Sequence, residues 1–307
     1  MYLCTLGILG LFFSRRQKST EDYFLAGRNL PGWVVGFSLM GTVISSATFI
    51  GLPGEVYKTN MWSLPRSFVT PLVMIFISYY LVTFYRRTVR MTAYGYLEKR
   101  FGYPARAYGA AAFIVSHVID VSVTFYFLAI AVGYLSGWDV WWVILILGAV
   151  TVIYTMIGGI EAVVWTDVIQ GSLLVIGGLI CLFVLLLTPH EGPIVVISKA
   201  WEGGKFVMGN WDFDWYEHNQ WFYIIGGTFF ILQYLACDQS TVQRFLLARS
   251  DREAVQGAYI GASACLPVWI LFSIVGALLW AFYELSLEQL PAEVLESKDF
   301  IMPYFIK

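Results

Sequence analysis

Long charge-free intervals alternate along the chain with short charged segments. A helix needs about 20 consecutive apolar residues to cross about 30 Å of hydrocarbon. Six uncharged intervals have at least 19 residues, and a seventh is interrupted only by Asp120. In chain order, the seven intervals are 29–54, 67–85, 107–138, 140–160, 168–190, 218–237 and 254–283. The pattern therefore predicts seven complete transmembrane helices and an all-α, polytopic membrane protein.

The first thirteen residues, Met1–Phe13, are also apolar. A helix of this length reaches only about 20 Å, which is too short to cross the bilayer. No small-residue cleavage site of a signal peptide follows, and Arg15, Arg16 and Lys18 come next. We interpret residues 1–13 as the remnant of a leading transmembrane span. Because an apolar segment also begins at the other end, near Met302, we expect the chain to be a fragment.

The composition excludes several classes of protein. Hydrophobic residues make up 58% of the chain and charged residues 13%, whereas soluble domains have about 45–50% and about 25%. Nineteen basic residues against 21 acidic residues leave no positive excess for binding nucleic acid. Aromatic residues amount to 18%, which is typical of membrane interfaces. The lipid bilayer is the expected environment, and no obligate protein partner can be inferred.

Enzyme and metal-site motifs are absent from the sequence. The four cysteines and three histidines are all widely separated, so no disulfide framework or zinc site is indicated. The Gly204-Lys205 pair is followed by Phe206 and does not form a phosphate-binding loop. The sequence therefore does not predict an enzyme.

The distribution of Lys and Arg predicts the orientation in the membrane. Thirteen of the nineteen fall in segments 14–30, 86–106 and 244–253, which are expected to be cytoplasmic. The segments 189–219 and 284–307 then lie on the opposite, extracytoplasmic side. We predict an integral protein of the plasma (inner) membrane.

Three sequence motifs lie between the predicted spans or at their ends. Residues 22–33 read DYFLAGRNLPGW, residues 154–170 read YTMIGGIEAVVWTDVIQ, and residues 238–244 read DQSTVQR. In this order, and at these positions relative to the predicted spans, the motifs resemble those of the sodium:solute symporter family. The second motif is the most specific of the three, and the resemblance extends from about residue 20 to residue 283.

The resemblance implies a core of five plus five spans in inverted repeats, preceded by a leading span. On this basis, residues 31–188 hold the first five core spans and residues 220–283 the sixth and seventh. The eighth to tenth core spans would be missing. Such transporters bind ions and solutes near the middle of the membrane, where helices are interrupted.

The first core span contains candidate residues for binding sodium. Glycine, serine and β-branched residues lower its helix propensity between Gly36 and Gly51, and we expect a break in the helix near Gly41–Ser46. The resemblance implies that the backbone carbonyls of Gly41 and Ile44 bind sodium, the coupling ion, with further ligands from the missing eighth span. The alternative is a packing face of small residues, which is common between membrane helices.

Two acidic residues in the spans are further candidates, because a charge there costs about 3 kcal/mol. The resemblance places Asp167 near a possible additional sodium site, although Asp167 could instead cap a helix together with Thr166 and anchor a loop. Asp120, near the middle of the third core span, could line the solute cavity or pair with His117 as a packing residue. An acid at residue 120 argues against an anionic solute.

Several hydroxyl groups and one tyrosine complete the candidate solute site. Ser45, Ser46 and Thr48 follow the expected break, Ser67 and Thr70 open the second core span, and Tyr234 matches an aromatic inner gate of relatives. Sugar-binding relatives have Gln and Glu where this chain has Thr48 and Ser67, which argues against a hexose. Each hydroxyl could also serve only in helix packing.

The resemblance implies sodium-coupled secondary active symport of a small polar organic solute, such as a sugar or polyol. This activity, by alternating access, is expected of the full-length parent protein. The alternative is a transporter-like sensor module within a membrane signalling protein.

Overall fold

A computed structural model describes residues 2–15, 17–89, 92–214, 219–286 and 290–307. Arg16, Arg90 and His218 lie outside the described residues. Fifteen α-helices occupy the described ranges, and the one strand-like pairing there is a single bridge between Leu30 and Ala248. The helices are α1 (Tyr2–Ser14), α2 (Thr20–Leu25), α3 (Gly32–Val43), α4 (Leu52–Lys58), α5 (Leu64–Ile77), α6 (Thr83–Thr88), α7 (Ala93–Phe101), α8 (Tyr103–Ser136), α9 (Val140–Leu187), α10 (Pro193–Glu202), α11 (Gln220–Cys237), α12 (Gln239–Leu246), α13 (Asp251–Leu285), α14 (Ala292–Glu296) and α15 (Ile301–Ile306).

These helices account for the seven predicted spans. Among the described residues, four helices are long and apolar enough to cross a membrane, namely α8, α9, α11 and α13. Two bent pairs, α3 with α4 and α5 with α6, are also long and apolar enough for each pair to count as one further span. The 48 residues of α9 would extend about 72 Å, more than twice the thickness of the hydrocarbon, and Gly159 interrupts this helix with a positive φ of 59°. The helix α9 therefore contains the fourth and fifth core spans.

Residues of the first and second sequence motifs are in contact at the Gly159 interruption. A side chain at residue 159 would collide with the side chain of Gln17 and the carbonyl oxygen of Tyr23. The hydroxyl group of Tyr23 donates a hydrogen bond to the carbonyl oxygen of Met156 at 2.9 Å, and the amide group of Gln17 donates to the carbonyl oxygen of Gly158. The segment before the first core span is thus held at the fourth-to-fifth span junction.

Both halves of the first core span pack closely against α13. A methyl group at Gly257 would come within 2.7 Å of the carbonyl oxygen of Gly32. Similarly, a methyl group at Gly276 would come within 2.6 Å of the carbonyl oxygen of Pro53 in α4. The helix α13 therefore runs along the first span on both sides of its bend.

The beginning of the first span is also hydrogen-bonded to the start of α13. The carboxylate of Glu253 accepts a hydrogen bond from the amide of Gly32 at 2.8 Å. Leu30 exchanges backbone hydrogen bonds with Leu247 and Arg249 at 3.0 and 3.1 Å. These contacts fix the beginning of α3 relative to the loop between the sixth and seventh spans.

The segments between the spans contain short helices. The segment 14–30 holds α2, the segment 189–219 holds α10, and the segment 284–307 holds α14 and α15. The apolar beginning of the chain forms α1, which packs on α9 through Gly10, while Met1 lies outside the described residues. The assignment of α1 to a leading span and the membrane sides of the segments remain predictions.

The close packing of α3 on α13 predicts opposite effects of one substitution at two glycines. Gly257→Ala should lower the free energy of unfolding by about 1–3 kcal/mol, because the added methyl group meets a backbone carbonyl. Gly226→Ala in α11 has open space around residue 226, so it should stabilise the helix by about 0.5–1 kcal/mol. Thermal unfolding of the purified variants in detergent measures both effects, and equal shifts in the same direction would contradict the packing.

Candidate functional site

The first core span is interrupted between α3 and a π-helical turn, Ala47–Gly51. Ile44 has an extended backbone, with φ of −96° and ψ of 120°. The amide of Ser45 donates to the hydroxyl oxygen of Thr48 at 3.4 Å, and the amide of Ala47 donates to the hydroxyl oxygen of Ser45 at 3.2 Å. The amide of Thr48 donates to the carbonyl oxygen of Ser45 at 2.9 Å. Local hydroxyl and carbonyl groups therefore accept these three hydrogen bonds.

At three positions of this turn, an amide binds a local acceptor and so leaves its usual carbonyl partner without a donor. In a regular α-helix, the amides of residues 45, 47 and 48 would bind the carbonyl oxygens of Gly41, Val43 and Ile44. The expected break is thus present, although helix α3 continues through Gly41 and the interruption begins at Ile44. Carbonyl oxygens that have lost their amide donors favour binding of a cation over an anion.

A second break in helical structure lies at Asp238, where the helix of the sixth core span ends. Helix α11 ends at Cys237, Asp238 has an extended backbone, and its carboxylate caps α12 by accepting from the amide of Thr241 at 3.1 Å. The hydroxyl group of Tyr85 donates to the carbonyl oxygen of Ala236 beside the break. This break was not predicted from the sequence. Its signal is an aspartate, suited to capping a helix, that directly follows an apolar run.

A buried charged network connects the first and fifth core spans with α12 on one side of the first break. Arg244 of α12 donates to the Oδ2 oxygen of Asp167 at 2.8 Å and to the hydroxyl oxygen of Ser38 at 2.9 Å. The hydroxyl group of Ser38 donates to the same Oδ2 oxygen at 2.6 Å. The two charged side chains are 8% and 15% exposed, and Ser38 is fully buried. Each member of the network therefore stabilises the other two in a site of low polarity.

The alternative interpretation of Asp167 combines helix capping with anchoring of a loop, and the structure contradicts the capping. A capping role is wrong because α9 continues without interruption through Asp167, and Thr166 donates its hydroxyl hydrogen to Val163 of the preceding turn. The sequence analysis did not predict a role for Ser38 or Arg244. Arg244 ends the third motif, but nothing in the sequence connects it with an aspartate 77 residues earlier.

The network lies directly beside the candidate sodium ligands. A methyl group at Gly41 would come within 2.9 Å of the carbonyl oxygen of Asp167. Thr42 donates its hydroxyl hydrogen to the carbonyl oxygen of Ser38 at 2.8 Å. The structure thus brings Gly41 and Asp167 together, as neighbours on α3 and α9.

Asp120 is connected to the first break through one turn of α8. The hydroxyl group of Ser46 donates to the carbonyl oxygen of Thr124 at 2.6 Å, and the hydroxyl group of Thr124 donates to the carbonyl oxygen of Asp120 at 3.0 Å. The Asp120 side chain is exposed. The suggested pairing with His117 is not formed, since that ring stacks on Phe113 at 5.0 Å and no hydrogen bond joins it to Asp120, both of which the structure describes.

The remaining candidate residues lie farther from the first break. Thr70 is 6% exposed within α5, and Ser67 lies one turn earlier. No hydrogen bond between the described residues joins either hydroxyl group to residues 44–46. Tyr234 is one turn before the second break and packs against the core formed by α3, α12 and α13. Roles for these three residues in binding remain predictions.

An apolar cavity of about 470 Å³ lies between α3, α9 and α13. Its lining includes the single hydroxyl group of Ser172 and otherwise hydrophobic residues, among them Phe37, Met40, Val175 and Leu271. Such a lining provides almost no hydrogen-bonding groups for a polar solute. The polar network and the two breaks, rather than this cavity, constitute the candidate functional site.

An interrupted membrane helix, with freed carbonyls at the break and buried polar groups beside it, is typical of secondary transporters. A family model described as the sodium:solute symporter family matches residues 23–295. The chain belongs to this family, which confirms the resemblance. The all-α membrane fold is confirmed as well.

Curated relatives of the chain are named as sodium-coupled transporters. The chain is 30% identical to the sodium/sialic acid symporter NanT of Aliivibrio fischeri, over 99% of this chain and 60% of the relative. It is also 30% identical to the sodium/sialic acid symporter SiaT of Proteus mirabilis, over 99% of this chain and 61% of the relative. The human sodium-coupled monocarboxylate transporter 1 is 28% identical over 98% of this chain and 49% of its own length.

A solved structure shares the fold almost throughout. It is a substrate-bound, outward-open state of a Na⁺-coupled sialic acid symporter with a novel Na⁺ site. The TM-score is 0.93 at 29% identity, covering 99% of this chain and 63% of that chain. The chain therefore spans about 60% of the length of its bacterial relatives and about half of the human one.

The buried network predicts a strong, specific loss of stability. Arg244→Gln should lower the free energy of unfolding by about 3–5 kcal/mol, because it leaves the carboxylate of Asp167 buried without its charged partner. The double variant with Asp167→Asn should recover part of this loss. Arg249→Gln, which removes an exposed hydrogen bond to Asn29, serves as the control. Denaturation of the purified variants measures the difference, and an undiminished loss in the double variant would contradict the pairing.

Proposed function

We propose that this chain forms the sodium- and solute-binding core of a symporter. The symporter couples uptake of a small polar organic solute, such as a sugar or polyol, to sodium entry by alternating access. The observation that carries the proposal is the first break, where three backbone carbonyls lose their usual amide donors. The names of the relatives support sodium as the coupling ion.

Sodium binds to the carbonyl oxygens of Gly41 and Ile44 in this proposal. Unwound backbone in the middle of a membrane transporter characteristically supplies carbonyl oxygens to Na⁺. The hydroxyl groups of Ser45 and Thr48 accept hydrogen bonds from nearby amides, so these amides do not present positive charge to the ion. The local polarity therefore matches a cation.

Asp167 provides an additional sodium ligand. Its Oδ2 oxygen accepts from both Ser38 and Arg244, whereas its Oδ1 oxygen takes part in no hydrogen bond among the described residues. A sodium ion at Oδ1 would share the carboxylate with the guanidinium group of Arg244. Because two cations at one carboxylate repel each other, sodium binding there weakens the bond between α9 and α12.

The same network closes one side of the site. It joins α3, α9 and α12 through Ser38, Asp167 and Arg244, on the side that the distribution of positive charge predicts to be cytoplasmic. Opening towards the cytoplasm requires separation of these groups. The likeness to a structure in an outward-open state supports this closed inner side.

The solute lies beside the first break, at the side of the network that faces away from Arg244. Ser45, Ser46, Thr48 and Asp120 contribute from the break and from α8, and the predicted contributions of Ser67, Thr70 and Tyr234 complete the site. Hydroxyl and carboxylate groups are suited to a polyhydroxylated solute.

The carboxylate of Asp120 determines the charge of the preferred solute. The relatives are named for sialic acid and for monocarboxylates, which are acids. An exposed carboxylate one turn from the break repels such an anion. We therefore infer a neutral or cationic polar solute. The sensor-module alternative receives no support from the relatives named above, all of which are transporters.

Sodium coupling predicts electrogenic uptake. The natural protein, reconstituted in liposomes, should take up its solute faster with an inward sodium gradient and with a negative interior, since each charge moved through 100 mV gains about 2.3 kcal/mol. A panel of radiolabelled sugars, polyols, amines and monocarboxylates identifies the solute, with lithium and potassium gradients as controls. Uptake that responds to neither sodium nor potential would reject the coupling.

The placement of Asp120 predicts a separable effect on solute affinity. Asp120→Asn should weaken binding of a neutral or cationic solute by about 1.5–3 kcal/mol if a charge-assisted hydrogen bond is lost, while sodium half-activation changes much less. Asp139→Asn is the matched control, because Asp139 is exposed and caps α9, a role that asparagine also fills. Unchanged solute affinity in folded Asp120→Asn would remove Asp120 from the site, and improved binding of an acid would confirm the charge repulsion.

A further inference from the structure

A buried lysine in the segment between the fifth and sixth spans contacts the first span. Lys205 follows α10, and only 7% of the residue is exposed. Its Nζ atom donates hydrogen bonds to the carbonyl oxygens of Tyr57 at 2.8 Å and Thr59 at 2.9 Å. Both carbonyls lie at the end of α4, in the other half of the span that carries the candidate sodium ligands.

The same ammonium group contacts the seventh span. The Nζ atom lies 5.0 Å from the centroid of the Trp280 ring, a distance typical of a cation–π interaction. The backbone before Lys205 fits closely against this ring, because a methyl group at Gly203 would come within 2.1 Å of a ring carbon. Lys205 therefore connects the segment after α10 with both α4 and α13.

The chemistry of the contact explains why a lysine can be buried there. Burial lowers the pKa of Lys205, and the nearby carboxylate of Glu284 opposes this shift. The last carbonyls of a helix have no partners within the helix and carry partial negative charge. The ammonium group thus donates hydrogen bonds to the carbonyl oxygens at the end of α4. Burying either group without the other would cost free energy.

The end of α4 is mechanically connected to the first break. The helical segment Ala47–Lys58 runs from the break to the contact with Lys205, and its twelve residues extend about 18 Å. This segment begins directly after the turn at Ile44–Ser46. A displacement at Tyr57 is therefore transmitted through continuous helical backbone to the turn that carries the carbonyl of Ile44.

We propose that Lys205 is a positioning residue for sodium binding. Through the carbonyls of Tyr57 and Thr59 and the ring of Trp280, it holds the outer half of the first span where the carbonyls at the break bind the ion. The inference rests on the sodium site proposed above. Lys205 itself contacts neither the ion nor the solute.

The test compares sodium activation in Lys205→Met and Lys205→Arg, using the natural protein in liposomes and equal amounts of folded protein. Methionine keeps most of the apolar stem but removes the charge and the donors. The sodium concentration for half-maximal uptake should rise by about two-fold to thirty-fold, as for residues that act on a site through intervening structure. The maximal rate should change far less, and arginine should restore most of the sodium affinity.

Lys58→Met is the matched control. Lys58 is at the same end of α4, and its ammonium group also donates to a backbone carbonyl, that of Glu296 at 3.1 Å, but it is exposed. Exposed contacts of this kind contribute little, so sodium activation should stay at the wild-type level.

Three results would overturn the inference: unchanged sodium half-activation in Lys205→Met, a loss of folded protein without a change in affinity, and no restoration by arginine. Each would assign Lys205 to the stability of its own segment. If Lys205→Met gives no folded protein at all, Lys205→Gln takes its place in the same comparison. Sodium-independent uptake by the wild-type protein would instead reject the sodium coupling, which separates the two proposals.

Discussion

Within a lipid bilayer, a backbone polar group without a partner costs several kcal/mol, so an interrupted helix is stable only where protein surrounds it. The turn at Ile44–Ser46 meets this constraint unevenly. Hydroxyl groups of Ser45 and Thr48 accept from amides in the turn, while the carbonyl oxygens at its start are left over. Ile44 itself is only 4% exposed and packs among Met40, Cys265 and other apolar residues. The core thus encloses a group of acceptors that a cation can satisfy.

The seventh span makes such an enclosure possible. Helix α13 packs against α3 through Gly257 and against α4 through Gly276, so one continuous helix supports both sides of the break. Close approach of the backbones requires glycine at these positions, because a methyl group would meet a carbonyl oxygen at less than 3 Å. Helix packing of this kind replaces the hydrophobic effect, which does not drive association between helices in lipid.

The parts of the fold that depend on local sequence could be predicted, and those that depend on distant partners could not. Charge-free length predicted the spans, and low helix propensity predicted the break near Gly41, since both are properties of consecutive residues. The bond between Asp167 and Arg244 joins residues 77 positions apart. The sequence shows that each residue carries a charge that is costly to bury, but it does not show that the two are partners. The burial of Lys205 could not be predicted either, because a lysine in a segment between spans is expected to face water. Only the tertiary structure buries it.

Different interactions hold the two halves of the first span, so the halves can be released separately when the site opens. The start of α3 is fixed by the carboxylate of Glu253 and the network around Asp167, whereas the end of α4 is bound by the ammonium group of Lys205. Between these attachments, α13 contains Pro267, which lies beside the residues that pack on Ile44 and lacks the amide for one helical hydrogen bond. The supporting helix is therefore weakest at the level of the break. Relative motion of α3 and α4 consequently requires the least distortion there, where it also changes the distance between the carbonyls of Gly41 and Ile44.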